Sequence, residues 1–203
     1  RLYISGSRED RQQKVFEAAE VIALPRKEPF LHERKRLSGI GQDCLHQGRI
    51  AVFLVAGGQG TRLGFDGPKG CFPVSPLKSK SLFRLFAESI RAQQHRYGKK
   101  LPWYIMTSYD NNAETVAYFE QEAYLGLAKE DVRFIIQKEV PSLDLQGRLI
   151  ISPEQRIFKN PNGHGGSLHA LHDSGALAEM AQRGIDEIFY FQVDNPLAKI
   201  ADP

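Results

Sequence analysis

The chain contains the apolar run Arg49-Ile-Ala-Val-Phe-Leu-Val-Ala-Gly-Gly58, which ends in glycines. Such a run is typical of a strand that is buried on both faces of a parallel sheet. Further apolar runs of strand length lie at residues 103–107, 132–137 and 187–193, and segments with helical spacing separate them. Strands that alternate with helices predict an α/β fold, with a mostly parallel sheet covered by helices on both faces.

Apolar residues at helical spacing predict four helices. These are residues 9–23, a helix capped by Ser81, a helix from Asn112 to Gly126, and residues 167–183, where Gly175 weakens the pattern. The polar segment 24–47 predicts a connection with a short helix, and residues 148–151 predict a short strand within an excursion. Because the chain ends shortly after its last predicted strand, we expect the domain to be incomplete at its C-terminus.

Composition and charge restrict the class of function. The 203 residues include 41% hydrophobic and 25% charged side chains, with a formal net charge of +3, which is typical of a soluble globular protein. The charges are interspersed, so we expect no nucleic-acid partner, and no apolar run is long enough to span a membrane. The N-terminus lacks a signal-peptide pattern, and Cys44 and Cys71 lack the spacing of a zinc site or disulfide framework. These features predict a cytoplasmic protein with a small anionic ligand.

The segment after the first strand, residues 57–70, is rich in glycine and carries Arg62 and Lys69. It is not a dinucleotide fingerprint, because Leu63 stands where the third glycine is required, and it lacks the Gly-Lys-Ser/Thr of a P-loop. A tight turn would explain one or two glycines but not the two cations. Glycines let backbone N–H groups approach an anion, while a guanidinium fork and an ammonium group bind phosphate oxygens. The segment therefore predicts a phosphate site.

Asp194 follows the last predicted strand. The segments after Ala56 and Ile136 also follow strands, and the carboxyl ends of parallel strands share one edge of a sheet, where ligands bind. Because Asn195-Pro196 comes next, a turn-forming role is the alternative for Asp194. Mg²⁺ typically binds one or two carboxylates together with phosphates. We therefore expect Asp194 to bind Mg²⁺ beside the phosphate site.

Five motifs occur in order along the chain. They are Ala56-Gly-Gly-Gln-Gly-Thr-Arg-Leu-Gly64 with Pro68-Lys-Gly70, Trp103-Tyr-Ile-Met-Thr-Ser108, Gln137 with Pro141, Gly163-His-Gly-Gly166, and Val193-Asp-Asn195. Together they resemble the UDP-N-acetylhexosamine pyrophosphorylases, which belong to the UTP-dependent sugar-1-phosphate uridylyltransferases. The glycine segment alone would indicate only the broader nucleotidyltransferase group. The resemblance implies a Rossmann-like sheet of the nucleotide-diphospho-sugar transferase type.

The resemblance also implies an activity and a domain organisation. The protein would join UTP to a sugar 1-phosphate, foremost N-acetylglucosamine 1-phosphate, and release pyrophosphate. Residues 37–203 would be the nucleotide-binding part of the catalytic domain, and residues 1–36 an N-terminal helical segment.

Roles for single residues follow from the same motifs. The backbone of Gly57 and Gly58 and the side chain of Gln137 would bind the uracil. Gly163 and His164 would lie near the ribose and the sugar. The catalytic residues Arg62 and Lys69 would hold phosphates, and Asp194 would bind Mg²⁺ at the α-phosphate of UTP.

His164 departs from the pattern of the N-acetylhexosamine enzymes, which usually have Asn at this place. A Gly-His-Gly turn is more similar to the UDP-glucose and broad UDP-sugar pyrophosphorylases, so these activities are the alternative. A non-catalytic module that binds a nucleotide sugar is a further alternative. The presence of Arg62, Lys69 and Asp194 favours an enzyme over such a module.

Overall fold

The computed structural model describes residues 30–203. Its helices and strands are, in chain order, α1 (Phe30–Gln47), β1 (Ile50–Val55), α2 (Leu82–Tyr97), β2 (Trp103–Thr107), α3 (Asn112–Gln121), β3 (Val132–Ile136), β4 (Glu139–Pro141), β5 (Lys159–Pro161), α4 (Gly166–Asp173), α5 (Ala176–Gln182) and β6 (Glu187–Gln192). The helix predicted over residues 9–23 lies outside the described residues. The division into residues 1–36 and 37–203 stays a prediction.

Four strands form one parallel sheet in the order β3-β2-β1-β6. The chain moves outward from β1 to β2 and β3, and then returns to place β6 on the other side of β1. The strand order therefore reverses next to β1, and ligands of such sheets bind at the carboxyl ends of strands near this point. The predicted parallel α/β sheet is confirmed.

Helices cover both faces of the sheet because successive side chains of each strand point to opposite faces. Val52 and Leu54 belong to a buried cluster that includes residues of α2 and α3. Ala51 and Phe53 belong to a second cluster, which includes residues of α4 and α5. This double burial is the physical reason for the unbroken apolar run in β1.

The prediction of a connection with only a short helix over residues 24–47 is wrong, because α1 has 18 residues. Gly39 and Gly41 lower the intrinsic helix propensity of this segment. Tertiary packing overrides that propensity, since Cys44 and Leu45 are buried. A Cβ atom at Gly41 would lie 2.9 Å from the backbone of Pro203, so a close approach explains this glycine.

Two predicted helices are shorter than expected. The helix that starts at Asn112 ends at Gln121, and a turn over Ala123–Gly126 follows it, in which Tyr124 and Leu125 have positive φ. The single helix predicted over residues 167–183 is divided into α4 and α5 at Gly175, whose φ is 75°. This left-handed conformation suits glycine and interrupts the helical hydrogen-bond pattern.

Residues 141–160 belong to a different compact unit from the one that contains the four-stranded sheet. The strand predicted over residues 148–151 is absent from the described residues, and isolated bridges join Leu143 to Leu149 and Ile151 to Ile157. The β4 and β5 strands form a separate two-stranded sheet. Within residues 30–203, none of the helices combines the length and the hydropathy that crossing a bilayer requires.

Candidate active site

The segment of residues 57–70, here called the glycine loop, leaves the carboxyl end of β1 and folds back on itself. The N–H of Gly60 donates to the carbonyl of Gly67 at 2.9 Å, and the N–H of Lys69 donates to that of Gly58 at 3.1 Å. Two short 3-10 turns, Thr61–Leu63 and Lys69–Cys71, carry the two cations of the loop. The backbone hydrogen bonds of the glycine loop therefore hold the turns that carry Arg62 and Lys69 together.

Lys69 reaches the end of the neighbouring strand. Its Nζ atom lies 2.6 Å from Oδ1 of Asp194, which is two residues beyond β6. The Lys69 side chain is 18% exposed, and that of Asp194 is 59% exposed. The contact arises because β1 and β6 pair in parallel, so that their carboxyl ends lie side by side.

A cavity of about 380 Å³ lies beside this ion pair. Its lining combines three charged side chains with apolar ones, namely Arg62, Leu63, Lys69, Phe72, Val74, Leu82, Val193, Asp194 and Pro196. Arg62 is exposed and makes no ion pair with any residue in the described part of the chain. Its guanidinium is thus available to an anion in the cavity.

Gln137 lies at the carboxyl end of β3 and is buried. Its N–H donates to the carbonyl of Thr107 at 2.8 Å, which fixes it to the end of β2. Its Nε2 donates to the carbonyl of Gly163 at 2.8 Å and to Oδ1 of Asn162 at 3.0 Å. The side chain of Gln137 thus holds the turn that precedes α4 against the end of β3.

His164 follows in the same turn and contacts the opposite edge of the sheet. Its Nδ1 atom lies 2.7 Å from the hydroxyl of Tyr190, and its Nε2 atom lies 3.5 Å from Nε2 of Gln192. Both partners belong to β6. The turn from Gly163 to Gly166 is therefore held by β3 through Gln137 and by β6 through His164.

The residues singled out from the sequence form two groups in the structure. Gly57, Gly58, Arg62, Lys69 and Asp194 meet around the glycine loop, whereas Gln137, Gly163 and His164 meet at the turn before α4. No hydrogen bond between described residues joins the two groups directly. Both lie at the carboxyl ends of the strands, the edge of the sheet at which the sequence predicts a site.

Asn111 is a residue of the site that the sequence pattern did not single out. It is fully buried, and its Nδ2 donates to the carbonyls of Ala56 at 2.9 Å and Gly58 at 3.3 Å. The available signal was the polar run Ser108-Tyr-Asp-Asn-Asn112, which begins where β2 ends. Polar residues of this type are common at helix starts. The run therefore gave no separate indication that Asn111 contacts the glycine loop.

Cys71, at the end of the glycine loop, lies in an environment that disfavours the thiolate. Burial raises the pKa of its thiol to about 12, and the negative charge of Glu114 adds to the effect. The reactive form of a cysteine is the thiolate. The thiol next to the candidate phosphate site therefore stays protonated at neutral pH.

A metal ion could be held at this site only together with a ligand. Within residues 30–203, no three His, Cys, Asp or Glu side chains are grouped to form a metal site. Asp194 offers a largely exposed carboxylate with one oxygen on Lys69. One carboxylate that is open to solvent suits Mg²⁺ bound jointly with phosphates, and does not suit a structural metal.

Comparisons with known proteins agree with this fold. A sequence model of the UTP–glucose-1-phosphate uridylyltransferase family matches residues 1–203. The UDP-N-acetylglucosamine pyrophosphorylase of Saccharomyces cerevisiae is 41% identical over 168 residues, which are 81% of this chain and 35% of that protein. The UDP-N-acetylhexosamine pyrophosphorylase-like protein 1 of Xenopus tropicalis is 40% identical over 177 residues, which are 84% of this chain and 35% of that protein.

A solved structure extends the likeness to three dimensions. The uridine diphosphate N-acetylglucosamine pyrophosphorylase of Trypanosoma brucei, in complex with an inhibitor, superposes with a TM-score of 0.77 at 35% identity. The superposition covers 85% of this chain and 37% of that one, so the chain spans about a third of the length of these relatives. They confirm the resemblance found in the sequence. Because the family model matches all 203 residues, the chain belongs to the UTP–glucose-1-phosphate uridylyltransferase family.

Proposed function

We propose that the protein is a uridylyltransferase, which forms a UDP-sugar and pyrophosphate from UTP and a sugar 1-phosphate. The preferred sugar phosphate is N-acetylglucosamine 1-phosphate, as the names of the relatives at 40–41% identity suggest. We further propose that residues 37–203 supply the nucleotide-binding part of the catalytic domain. The cytoplasmic location predicted from the sequence stays a prediction.

One observation carries this proposal. The ammonium of Lys69 lies 2.6 Å from the carboxylate of Asp194 on the rim of a cavity that Arg62 also lines. Two cations and one carboxylate at the carboxyl edge of a parallel sheet suit the triphosphate of a nucleotide. A module that only stores a nucleotide sugar would not require this concentration of charge around one cavity.

The reaction is an in-line displacement at phosphorus. A phosphate oxygen of the sugar 1-phosphate attacks the α-phosphorus of UTP and forms a new P–O bond. The bond from the α-phosphorus to the bridging oxygen breaks, and pyrophosphate leaves with the electron pair. Such a transfer depends on positioning and charge stabilisation, and it needs no protein nucleophile.

The residues of the site divide this work. Lys69 and Arg62 stabilise the negative charge that develops on the phosphates, since preorganised cations next to a reacting centre are most effective. The backbone of Gly57 and Gly58 and the side chain of Gln137 bind the uracil. Gly163 and His164 adjoin the ribose and sugar.

Asp194 is the residue that would hold Mg²⁺, with the phosphates of UTP completing its coordination. A bound Mg²⁺ neutralises phosphate charge and polarises the phosphoryl group. Lys69 neutralises the Asp194 carboxylate in the chain itself. Its ammonium would then be free to pair with a phosphate oxygen when Asp194 has another cation.

A second candidate activity is a UDP-glucose or broad UDP-sugar pyrophosphorylase. His164 favours it, because its imidazole is held against Tyr190 on β6 at a place where the N-acetylhexosamine enzymes usually have the smaller Asn. The family description likewise names glucose 1-phosphate. The two candidates share the uridylyl transfer and differ only in the sugar that is accepted.

The test is pyrophosphate release by the protein with UTP and Mg²⁺, with either N-acetylglucosamine 1-phosphate or glucose 1-phosphate. We expect release that requires UTP and is faster with N-acetylglucosamine 1-phosphate. The Arg62→Ala variant should lose most of this activity, at a cost of about 3 kcal/mol in the barrier. Clear UTP binding without release from either sugar phosphate would leave a nucleotide-binding module and contradict the enzyme.

A further inference from the structure

Asn111 is the most extensively bonded polar side chain at the carboxyl edge of the sheet, and the proposed reaction gives it no role. It is fully buried, with a relative exposure of 0%. Its Nδ2 donates to the carbonyls of Ala56 and Gly58, and its Oδ1 accepts from the N–H of Ser108 at 2.9 Å. One carboxamide thereby connects the ends of β1 and β2 with the glycine loop.

These bonds are not those of a helix cap. Asn111 precedes α3, and an Asn at this place ordinarily accepts from a backbone N–H in the first turn of the helix. Here the side chain makes no such capping bond. The capping interaction, which contributes roughly 1 kcal/mol to stability, is given up in favour of bonds to the glycine loop.

The bond to Ala56 sets the direction of the next peptide group. The N–H of Ala56 donates to Met106 on β2, and the carbonyl of Val55 accepts from Val193 beyond β6. Since Asn111 draws the carbonyl of Ala56 to the side of β2, planarity of the trans peptide turns the N–H of Gly57 the opposite way, toward β6.

The N–H of Gly57 is available to a ligand. It donates to no backbone carbonyl of residues 30–203. A Cβ atom at Gly57 would lie 3.3 Å from the backbone nitrogen of Ser108, so the loop approaches the end of β2 too closely for an easy fit of a larger residue. Asn111 also bonds to this end of β2, because its Oδ1 accepts from the N–H of Ser108.

The bond to Gly58 links this arrangement to the phosphate side of the loop. The carbonyl of Gly58 accepts from Nδ2 of Asn111 at 3.3 Å and from the N–H of Lys69 at 3.1 Å. Asn111 and the backbone of Lys69 therefore hold the same peptide group. A change at Asn111 would move the peptide that orients Gly57 and the anchor of Lys69 together.

We propose that Asn111 is a positioning residue for UTP binding, which turns the N–H of Gly57 toward the nucleotide and anchors the glycine loop at Gly58. This inference rests on the proposed function, because UTP is the ligand that the loop would hold. Asn111 touches no reacting atom and acts only through the backbone of the loop.

The test compares three variants of the protein by UTP titration and steady-state kinetics. Asn111→Ala removes the three bonds. Asn111→Asp keeps the shape and the acceptor for Ser108, but it replaces the donor by a carboxylate oxygen that repels the two carbonyls. Asn112→Ala is the matched control, because it removes a hydrogen bond to Thr107 at the same helix start and does not touch the loop.

We expect both Asn111 variants to bind UTP about 10- to 100-fold more weakly, as the loss of buried hydrogen bonds implies. The KM for UTP should rise by a similar factor, while the KM for the sugar 1-phosphate stays unchanged. Asn112→Ala should keep UTP affinity within about threefold of wild type. All titrations are made well below the lowest melting temperature of the variants. A variant that is only partly unfolded then shows a lower apparent kcat, because less enzyme is active, while its KM is unchanged.

The outcomes separate this inference from the function on which it rests. If the wild type binds UTP and both Asn111 variants bind it equally well, the positioning role is overturned and the proposed function stands. The same holds if the variants lose only kcat, because that result indicates a smaller folded fraction. A wild type that does not bind UTP overturns the proposed function and the role of Asn111 together.

Discussion

Lys69 and Asp194 are separated by 125 residues along the chain, and their side chains form an ion pair of 2.6 Å. The pair joins the glycine loop after β1 to the end of β6. Asp194 is largely exposed and Lys69 is mostly buried, so the carboxylate faces solvent while the ammonium lies beneath it. We propose that this cation and this carboxylate, which pair with each other in the chain alone, exchange partners when a charged ligand binds.

The first prediction concerns Lys69. The Lys69→Ala variant should lower kcat/KM for pyrophosphate release by about 10²- to 10³-fold, because it removes a preorganised charge next to the reacting phosphates. Lys78→Ala is the matched control, since this exposed lysine lies a few residues further along and has no ion pair with any described residue. Activity of Lys69→Ala within threefold of wild type would contradict the role of Lys69.

The second prediction concerns the sugar. The His164→Asn variant loses the contact of Nδ1 with the hydroxyl of Tyr190 and shortens the side chain. We expect the ratio of kcat/KM for N-acetylglucosamine 1-phosphate to that for glucose 1-phosphate to change by about tenfold, as one altered polar contact implies. Tyr190→Phe removes the hydroxyl alone and should change the ratio less. An unchanged ratio in His164→Asn would exclude His164 from sugar selection.

The third prediction concerns packing under the glycine loop. A Cβ atom at Gly70 would lie 2.1 Å from the ring of Phe83, which is fully buried. Gly70→Ala should therefore lower the free energy of unfolding by about 1–3 kcal/mol through overpacking. Gly39→Ala is the matched control, because Gly39 lies within α1 and a Cβ atom there would meet no atom of residues 30–203 within 4 Å; it should raise this free energy by about 1 kcal/mol. Urea denaturation measures both, and equal effects of the two substitutions would refute the packing argument.

The fourth prediction concerns pH. A hydrogen bond from Lys138 and a second one from His172 lower the pKa of Asp173 from 3.8 to about 2. Because the folded pKa lies below the unfolded one, the stabilisation is present above about pH 4 and is lost as the pH falls toward 2. The difference in melting temperature between wild type and Asp173→Asn should therefore shrink between about pH 5 and about pH 2.5. Asp110→Asn serves as the control, and a difference that is constant over this range would contradict the ion pair.

Much of the fold was predictable from local patterns. The apolar run after Arg49 identified β1, and the run at residues 103–107 matched β2 residue for residue. Ser81 caps α2 as predicted, since its Oγ accepts from the N–H of Arg84. These features could be predicted because burial on both faces of a sheet requires a continuous apolar run, and helix capping favours particular residue types at the helix start.

The errors arose where tertiary contacts outweigh local preference. The glycines of α1 favour a loop by propensity, but the segment is helical because residues such as Cys44 and Leu45 are buried. Asn111 directly precedes α3 and was not singled out from the sequence, yet its carboxamide bonds to the glycine loop more than fifty residues away. Neither outcome leaves a mark in the adjacent sequence.

The amino-acid sequence alone settled the α/β class and the family, because apolar periodicity and ordered motifs are properties of the linear chain. It also supplied the chemical types at the site, namely glycines, two cations and a carboxylate. Only the tertiary structure decided that Lys69 meets Asp194 and that Asn111 forms hydrogen bonds with the glycine loop. Those pairings depend on the strand order β3-β2-β1-β6, which arises from packing among distant segments and which no local pattern encodes.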